Sequence, residues 1–418
     1  MNSVLRLLGC LLAACASAAL ARDLSLAETE QLLSKNNREL QAARRAVESA
    51  QAQQVIAGAR PNATLSVNST SINDSNAIDG IKRTADTTLR IDQPFERGNK
   101  RELRLDAAAG LQRAARIDSL DVLRQQLAAA RGAYFDLKLA QERMQVLAET
   151  AQLFSGTLAA AQRRLKAGDL APADVAKVQV DYERSQNDAR AARADLGRAQ
   201  INVAYLLGLD AEALELRAID PWPALARADA AAVSDAIEAR PDVAAARARV
   251  EAAERLRDLA RAQRTRDITV GAQVERWIPG GGAPSTSVGL GVAVPLFTGY
   301  DYSGDIQKAE VDRYAAMDAL ARTRAVAMNE LRRAAEDLNA AADRLERFDA
   351  SLLAAANQSA QASEFAFTRG AISVLEVLDA RRTLRAVRLD ALAARNDHAK
   401  ALAAWRAAQA SVQSLEAR

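Results

Sequence analysis

Ser287-Val288-Gly289-Leu290-Gly291-Val292-Ala293-Val294-Pro295-Leu296 alternates large or branched apolar residues with serine, glycine and alanine. A period of two puts the first set on one face of a β-strand and the second set on the other. The stretch before it has the same build. Ile268, Val270, Ala272 and Val274 alternate with Thr269, Gly271, Gln273 and Glu275. Pro279-Gly280-Gly281-Gly282-Ala283-Pro284 lies between them and marks a hairpin loop. A hairpin with one apolar face and one small or polar face is therefore predicted here.

The same pattern occurs earlier in the chain. Ala63, Leu65 and Val67 alternate with Asn62, Thr64, Ser66 and Asn68, and Leu89 and Ile91 alternate with Thr88, Arg90 and Asp92. These are two blocks of one internal duplication, at an offset of about 202 residues. Gln93-Pro94-Phe95 and Gly98 are echoed by Val294-Pro295-Leu296 and Gly299. Leu40-Gln41-Ala42-Ala43-Arg44 is echoed by Val243-Ala244-Ala245-Ala246-Arg247. Lys166-Ala167-Gly168, followed by Asp174-Val175, is echoed by Thr368-Arg369-Gly370, followed by Glu376-Val377. Chance similarity between alanine-rich helices would not keep proline and glycine aligned. The expected division is a first repeat over 22–220 and a second over 221–418, within one domain. Leu214 to Ala232, with Pro221-Trp222-Pro223, reads as the linker.

Each repeat reads as helix, hairpin, long helix, tight turn, helix. Leu24 to Ala59 is expected to be one helix, ended by Pro61. From about Asn99 to Ala167 no proline occurs, which predicts a helix of roughly 100 Å. Its apolar positions step by four and three: Ala133, Leu137, Ala140, Met144, Leu147, Ala151, Phe154, Leu158, Ala161, Leu165. The second repeat offers Leu331, Ala334, Leu338, Ala341, Leu345, Phe348, Leu352 and Ala355. A sustained seven-residue repeat predicts a coiled-coil seam. Gly168 and Gly370 end the long helices and reverse the chain.

Composition agrees with long, closely packed helices. Alanine makes up about 23% of the 418 residues, while aromatics are only 4%. Hydrophobic residues reach 49%, which excludes disorder. Basic and acidic residues number 56 and 53 and are interleaved, so a nucleic-acid partner has no support. Met1 to Ala21 has the form of a secretory signal, with Arg6, an apolar run from Leu7, and Ala19-Leu20-Ala21 before Arg22-Asp23. Leu12-Ala13-Ala14-Cys15 also fits a lipobox, which would make Cys15 an acylated first residue. Both readings export the protein, and neither leaves cysteine for disulfides beyond position 15.

Four strands with one apolar face leave two open edges, and lipid tolerates only helices or closed barrels. If the apolar faces meet lipid, several chains must pool their hairpins. Otherwise the chain is a periplasmic structural coiled coil carrying two hairpins. An adaptor would show lipoyl-like or small β-barrel domains, and none is seen. The stretches Gln93-Pro94-Phe95-Glu96-Arg97-Gly98-Asn99-Lys100-Arg101, Glu238-Ala239-Arg240-Pro241-Asp242-Val243-Ala244-Ala245-Ala246-Arg247 and Val294-Pro295-Leu296-Phe297 carry a resemblance. With the turns after Gly168 and Gly370, they resemble the TolC family of outer-membrane factors over essentially the whole mature chain. Within it they are most similar to the CzcC-like branch of cobalt–zinc–cadmium resistance systems.

The resemblance implies a mainly α fold with β. Long coiled-coil hairpins and two β-hairpins per chain would trimerise into a 12-stranded outer-membrane β-barrel continued by a periplasmic α-helical tunnel. It implies a homotrimer in the Gram-negative outer membrane, extending into the periplasm. Its partners would be outer-membrane lipid, a periplasmic adaptor (membrane fusion protein) and an inner-membrane pump of the resistance-nodulation-division (RND) type. The function expected is a passive exit duct for divalent heavy-metal cations. A duct for drugs and other organic solutes, or for type I secretion, stays open.

No residues suggest an enzyme. Ser, Asp and Glu are scattered without a triad order, and no phosphate-cradling glycine motif opens a helix after a strand. His398, the single histidine, is expected on a polar helix face in solvent. No cofactor and no metal site are expected. In the family the helical turns dock the adaptor, which assigns Gly168, Asp169 and Leu170, and Gly370, Ala371 and Ile372. Family carboxylates that ring the closed periplasmic gate map onto Glu376 and Asp379, where the family usually has Asp at the first. Asp174 maps onto a position that bonds between helices there. Glu376 and Asp379 would also favour a helix N-terminus electrostatically, without any gate.

Overall fold

The computed structural model describes residues 22–70, 85–229, 237–278, 283–369 and 371–417. The leader with Cys15, most of the Pro279–Pro284 loop, and Gly370 lie outside the described residues. The chain forms two compact units. A helical unit takes residues up to 43, 119–241 and 325 onward; a strand-bearing unit takes 44–118 and 242–324.

In the strand-bearing unit, β2 (Thr64–Thr70), β3 (Ala85–Phe95), β5 (Ile268–Ile278) and β6 (Ser285–Ala293) form one antiparallel sheet in the order β2-β3-β5-β6. The two sequence hairpins are thus joined at their inner strands by β3 and β5. Register is set by the apolar pattern, since a one-residue slip would turn every side chain over. Val67 faces Leu89, Leu89 faces Val274, and Val274 faces Val288. One step along, Leu65, Ile91, Ala272 and Leu290 form a second row. The large residues of this face lie open, from 42% exposure at Val270 to 87% at Leu290. Each such side chain would gain roughly 1.5–3 kcal/mol by full burial. A contiguous face of this kind marks a surface built to be covered.

The opposite face is polar. Arg90 pairs with Asp92 at 2.7 Å and reaches Gln273 at 3.3 Å. Gly271 and Gly291 are the glycines nearest this guanidinium. Beyond β3 the turn through Gly98 and Asn99, both at positive φ, leads into α3 (Lys100–Ala167). A Cβ on Gly98 would fall 2.8 Å from Thr265, so this close turn requires glycine. Arg104 clamps the junction. It holds Glu96 with two hydrogen bonds and donates to the carbonyls of Ala57 and Ala59. Lys100, 4% exposed at its side chain, pairs with Asp267 at 2.9 Å.

In the helical unit the expected single helix over Leu24 to Ala59 is not continuous. Arg22–Leu24 is strand β1, and α1 (Leu26–Asn36) and α2 (Arg38–Gly58) follow. Asn37 causes the break. Its Oδ1 accepts from the Leu40 amide at 3.0 Å and its Nδ2 donates to the Leu206 carbonyl at 2.9 Å. An asparagine that caps the next helix in this way stops the previous one. The expected linker carries a strand of its own. Its Leu216–Ala218 stretch forms β4, paired in parallel with β1. Tyr134 locks this small sheet, donating to the Leu24 carbonyl (3.1 Å) and accepting from the Asp220 amide (2.9 Å).

α3 is 68 residues long, about 100 Å. Its expected seam is buried at Ala133, Leu137, Ala140, Leu147, Ala151, Phe154 and Ala161, and half-buried at Met144, Leu158 and Leu165. α4 (Pro172–Leu207) follows the turn. In the second repeat α5 (Pro241–Ala262) precedes β5, and α6 (Ser303–Arg347) follows β6. A π-helical turn, Phe348–Leu352, separates α6 from α7 (Leu353–Thr368). This turn corrects the seam. Leu352 and Ala355 are exposed, and Ala356 and Ala360 are buried instead. One extra residue in the turn rotates everything after it by one position. α8 (Val374–Ala408) and α9 (Val412–Glu416) complete the chain.

His398 on α8 corrects another expectation: it is fully buried rather than solvated. Its Nε2 lies 3.1 Å from both the amide nitrogen and the carbonyl oxygen of Ala226. The segment 219–229 covers it. That segment is held by Trp222, stacked on Phe135 and donating to Glu142, and by the Ala228 amide on Asn339.

Candidate functional site at the helical turns

The first turn is made by Gly168. At φ 84 it sits in the left-handed region, its amide bonds the Leu165 carbonyl, and the Asp169 amide reaches back to Arg164. These bonds satisfy carbonyls that the helix end leaves open. Asp169 is exposed. Leu170 is half-buried and packs with Phe154, Ala161, Val175 and Val178. Pro172 then starts α4, where its missing N–H costs nothing.

The second turn repeats the device: the Ala371 amide bonds the Ala366 carbonyl at 2.9 Å. Ala371 is exposed and Ile372 half-buried, while Gly370 lies outside the described residues. Ser373 caps α8, accepting from the Glu376 amide at 3.4 Å.

Glu376 and Asp379 are both exposed and stand three positions apart, on one helix face. They border a shallow groove of about 390 Å³ with Ser359, Ser363 and Thr383. Among the described residues neither carboxylate has a salt-bridge partner, and both stand in the first two turns of α8, where the helix N-terminus favours negative charge. Asp174 does not border this groove. It lies on α4 and bonds within its own helix, to Lys177 at 3.3 Å.

Bonds between the two hairpins come from residues that sequence reasoning missed. Arg382 pairs with Asp181, and Arg385 pairs with Asp188 at 2.9 Å. Arg381 donates across to Thr157 of α3 and also joins Glu364 of its own hairpin at 2.8 Å. Val374 and Leu378 of α8 pack on Val175 and Val178 of α4 beside these pairs. A signal was available: Asp181 and Asp188 are one heptad apart, and arginines recur at 381, 385 and 388. On their own, such charges read as a solvated helix face.

One unit thus carries a sheet with an exposed apolar face, and the other carries coiled-coil hairpins that end in tight turns. The chain matches the outer membrane efflux protein family over residues 29–209 and 232–411 and belongs to that family. The cobalt-zinc-cadmium resistance protein CzcC of Cupriavidus metallidurans is 27% identical over 318 residues, covering 74% of each chain. A membrane protein of Pseudomonas aeruginosa has the same fold, with a TM-score of 0.79 at 20% identity, covering 92% of this chain and 90% of its own. The CmeC outer membrane channel of Campylobacter jejuni superposes with a TM-score of 0.78 at 17% identity, covering 92% and 85%. The protein is therefore an outer-membrane efflux channel component that extends into the periplasm, with the fold of passive channels.

Proposed function

We propose that this chain is the exit duct of a tripartite RND-type efflux system, and that it serves divalent heavy-metal cations of the cobalt, zinc and cadmium kind. The observation that carries the cargo is the similarity to CzcC across three quarters of both chains. The exposed Glu376 and Asp379 agree with it, because carboxylates repeated around an axis favour cations and resist anions. The duct works as a homotrimer, in which the open edges of β2 and β6 pair between copies and twelve strands close around a lumen. The apolar face then meets lipid and the face bearing Arg90 lines water. Repeats 22–220 and 221–418 are the products of one duplication.

In this reading Glu376 and Asp379 ring the periplasmic gate, with Asp174 on the neighbouring hairpin. Gly168, Asp169 and Leu170, with Gly370, Ala371 and Ile372, present the turns to the periplasmic adaptor. The duct does not select the metal; the pump does. Deleting the gene and testing growth on zinc, cadmium, cobalt, nickel, copper and a drug panel decides the cargo. Metal sensitivity is expected, and sensitivity to drugs alone overturns the metal reading.

A further inference from the structure

A cavity of about 1050 Å³ lies between α3 and the α7–α8 hairpin. Two cross-bridges span it. The Arg164 guanidinium lies over the Phe367 ring at 5.6 Å, and Arg381 ties Glu364 to Thr157. Between them the wall is apolar or small: Leu153, Gly156, Ala160 and Val377. Gly156 stands inside α3, where glycine costs helix stability and no turn needs it. Nothing lies within 4 Å of where its Cβ would be, so the missing side chain leaves open space. Leu153 beside it is 52% exposed, an apolar side chain bordering a hollow.

The charges in the cavity are unevenly distributed: Glu149 lines the end about 20 Å along α3 from Arg163. Arg381 already neutralises Glu364. At the Arg163 and Arg164 end, Arg164 lies over an aromatic ring, and among the described residues no carboxylate pairs with either arginine. Two exposed arginines that both border one end of an apolar hollow match a molecule with an apolar body and one anionic head.

We infer that this cavity is a binding site for an amphipathic organic anion. The carboxylate, sulfonate or phosphate head engages Arg163 and Arg164, and the apolar body fills the space beside Gly156. Leu170 of the first turn also borders the cavity, whereas Glu376 and Asp379 do not, and the site stands whatever the exported cargo is.

The test is photolabelling of the full-length protein in a maltoside detergent with a diazirine-bearing dodecanoate, followed by peptide mapping. Label is expected on residues 149–164 and near Phe367, competed by excess dodecanoate and not by dodecanol. Gly156→Leu fills the hollow, and leucine is a better helix former than glycine, so the variant keeps its fold. It is expected to lower labelling of these peptides by about tenfold or more. Arg163→Gln with Arg164→Gln should lower it similarly, and Arg163→Lys with Arg164→Lys should restore part of it. Labelling that Gly156→Leu leaves unchanged, equal competition by dodecanol, or label confined to the strands overturns the site.

Discussion

At the scale of single residues, the exposed acids and the buried polar groups lead to different expectations. Glu376 and Asp379 stand in solvent at the start of α8, so their replacement should leave the fold intact. Changing Glu376→Gln together with Asp379→Asn is expected to weaken cation preference, read as a smaller reversal potential across a salt gradient in planar bilayers. An unchanged potential would remove them from the gate. Tyr134 is the opposite case. Burial pushes its phenol up to about 12, so the fold favours the neutral form. Its contribution is complete below the ordinary phenol value near 10 and declines as pH rises from there through about 12. Tyr134→Phe leaves the Asp220 amide and the Leu24 carbonyl without this partner and should cost about 1–3 kcal/mol by denaturant titration. It should also flatten the loss of stability seen in the wild type above pH 10.

At the scale of elements, periodicity made most of the architecture legible. The alternating strands at 64–68, 88–92, 268–275 and 287–293 and the α3 seam follow from one side-chain pattern each. What escaped depends on contacts between distant segments. No local pattern marks Arg22–Leu24 as a strand, because its partner is Leu216–Ala218. His398 reads as solvated until the segment around Ala226 is laid over it. The candidate turns were legible through glycine, but the Arg382–Asp181 and Arg385–Asp188 pairs were not, since charge patterning does not name its partner. The π-turn can be tested as an element. Deleting Ala350 should turn Phe348–Leu352 into ordinary α-helix while Ala356 and Ala360 keep their places, with a thermal midpoint equal to or above the wild type. A large fall would mean that the extra residue is needed for packing.

At the scale of the whole molecule, the two faces of the sheet should respond differently to charge. Leu290→Arg places a cation on the apolar face, which costs about 2–4 kcal/mol in the middle of a bilayer. It is expected to deplete the protein from outer-membrane fractions. Gln273→Arg, on the polar face, should insert normally. Equal behaviour of the two variants would contradict the lipid-facing assignment. An unheated sample run in detergent on a gel should migrate as a trimer and collapse to a monomer on boiling; a monomer before heating would end the pooled-barrel reading. The join between β3 and β5 also sets a timetable. Its partners come from opposite halves of the chain, so neither hairpin gains its neighbour until the second repeat has crossed into the periplasm. Sheet closure is therefore a late event and, by its high contact order, a slow one. During that interval the apolar strands of the first repeat are the part of the newborn protein most exposed to mispairing and proteolysis.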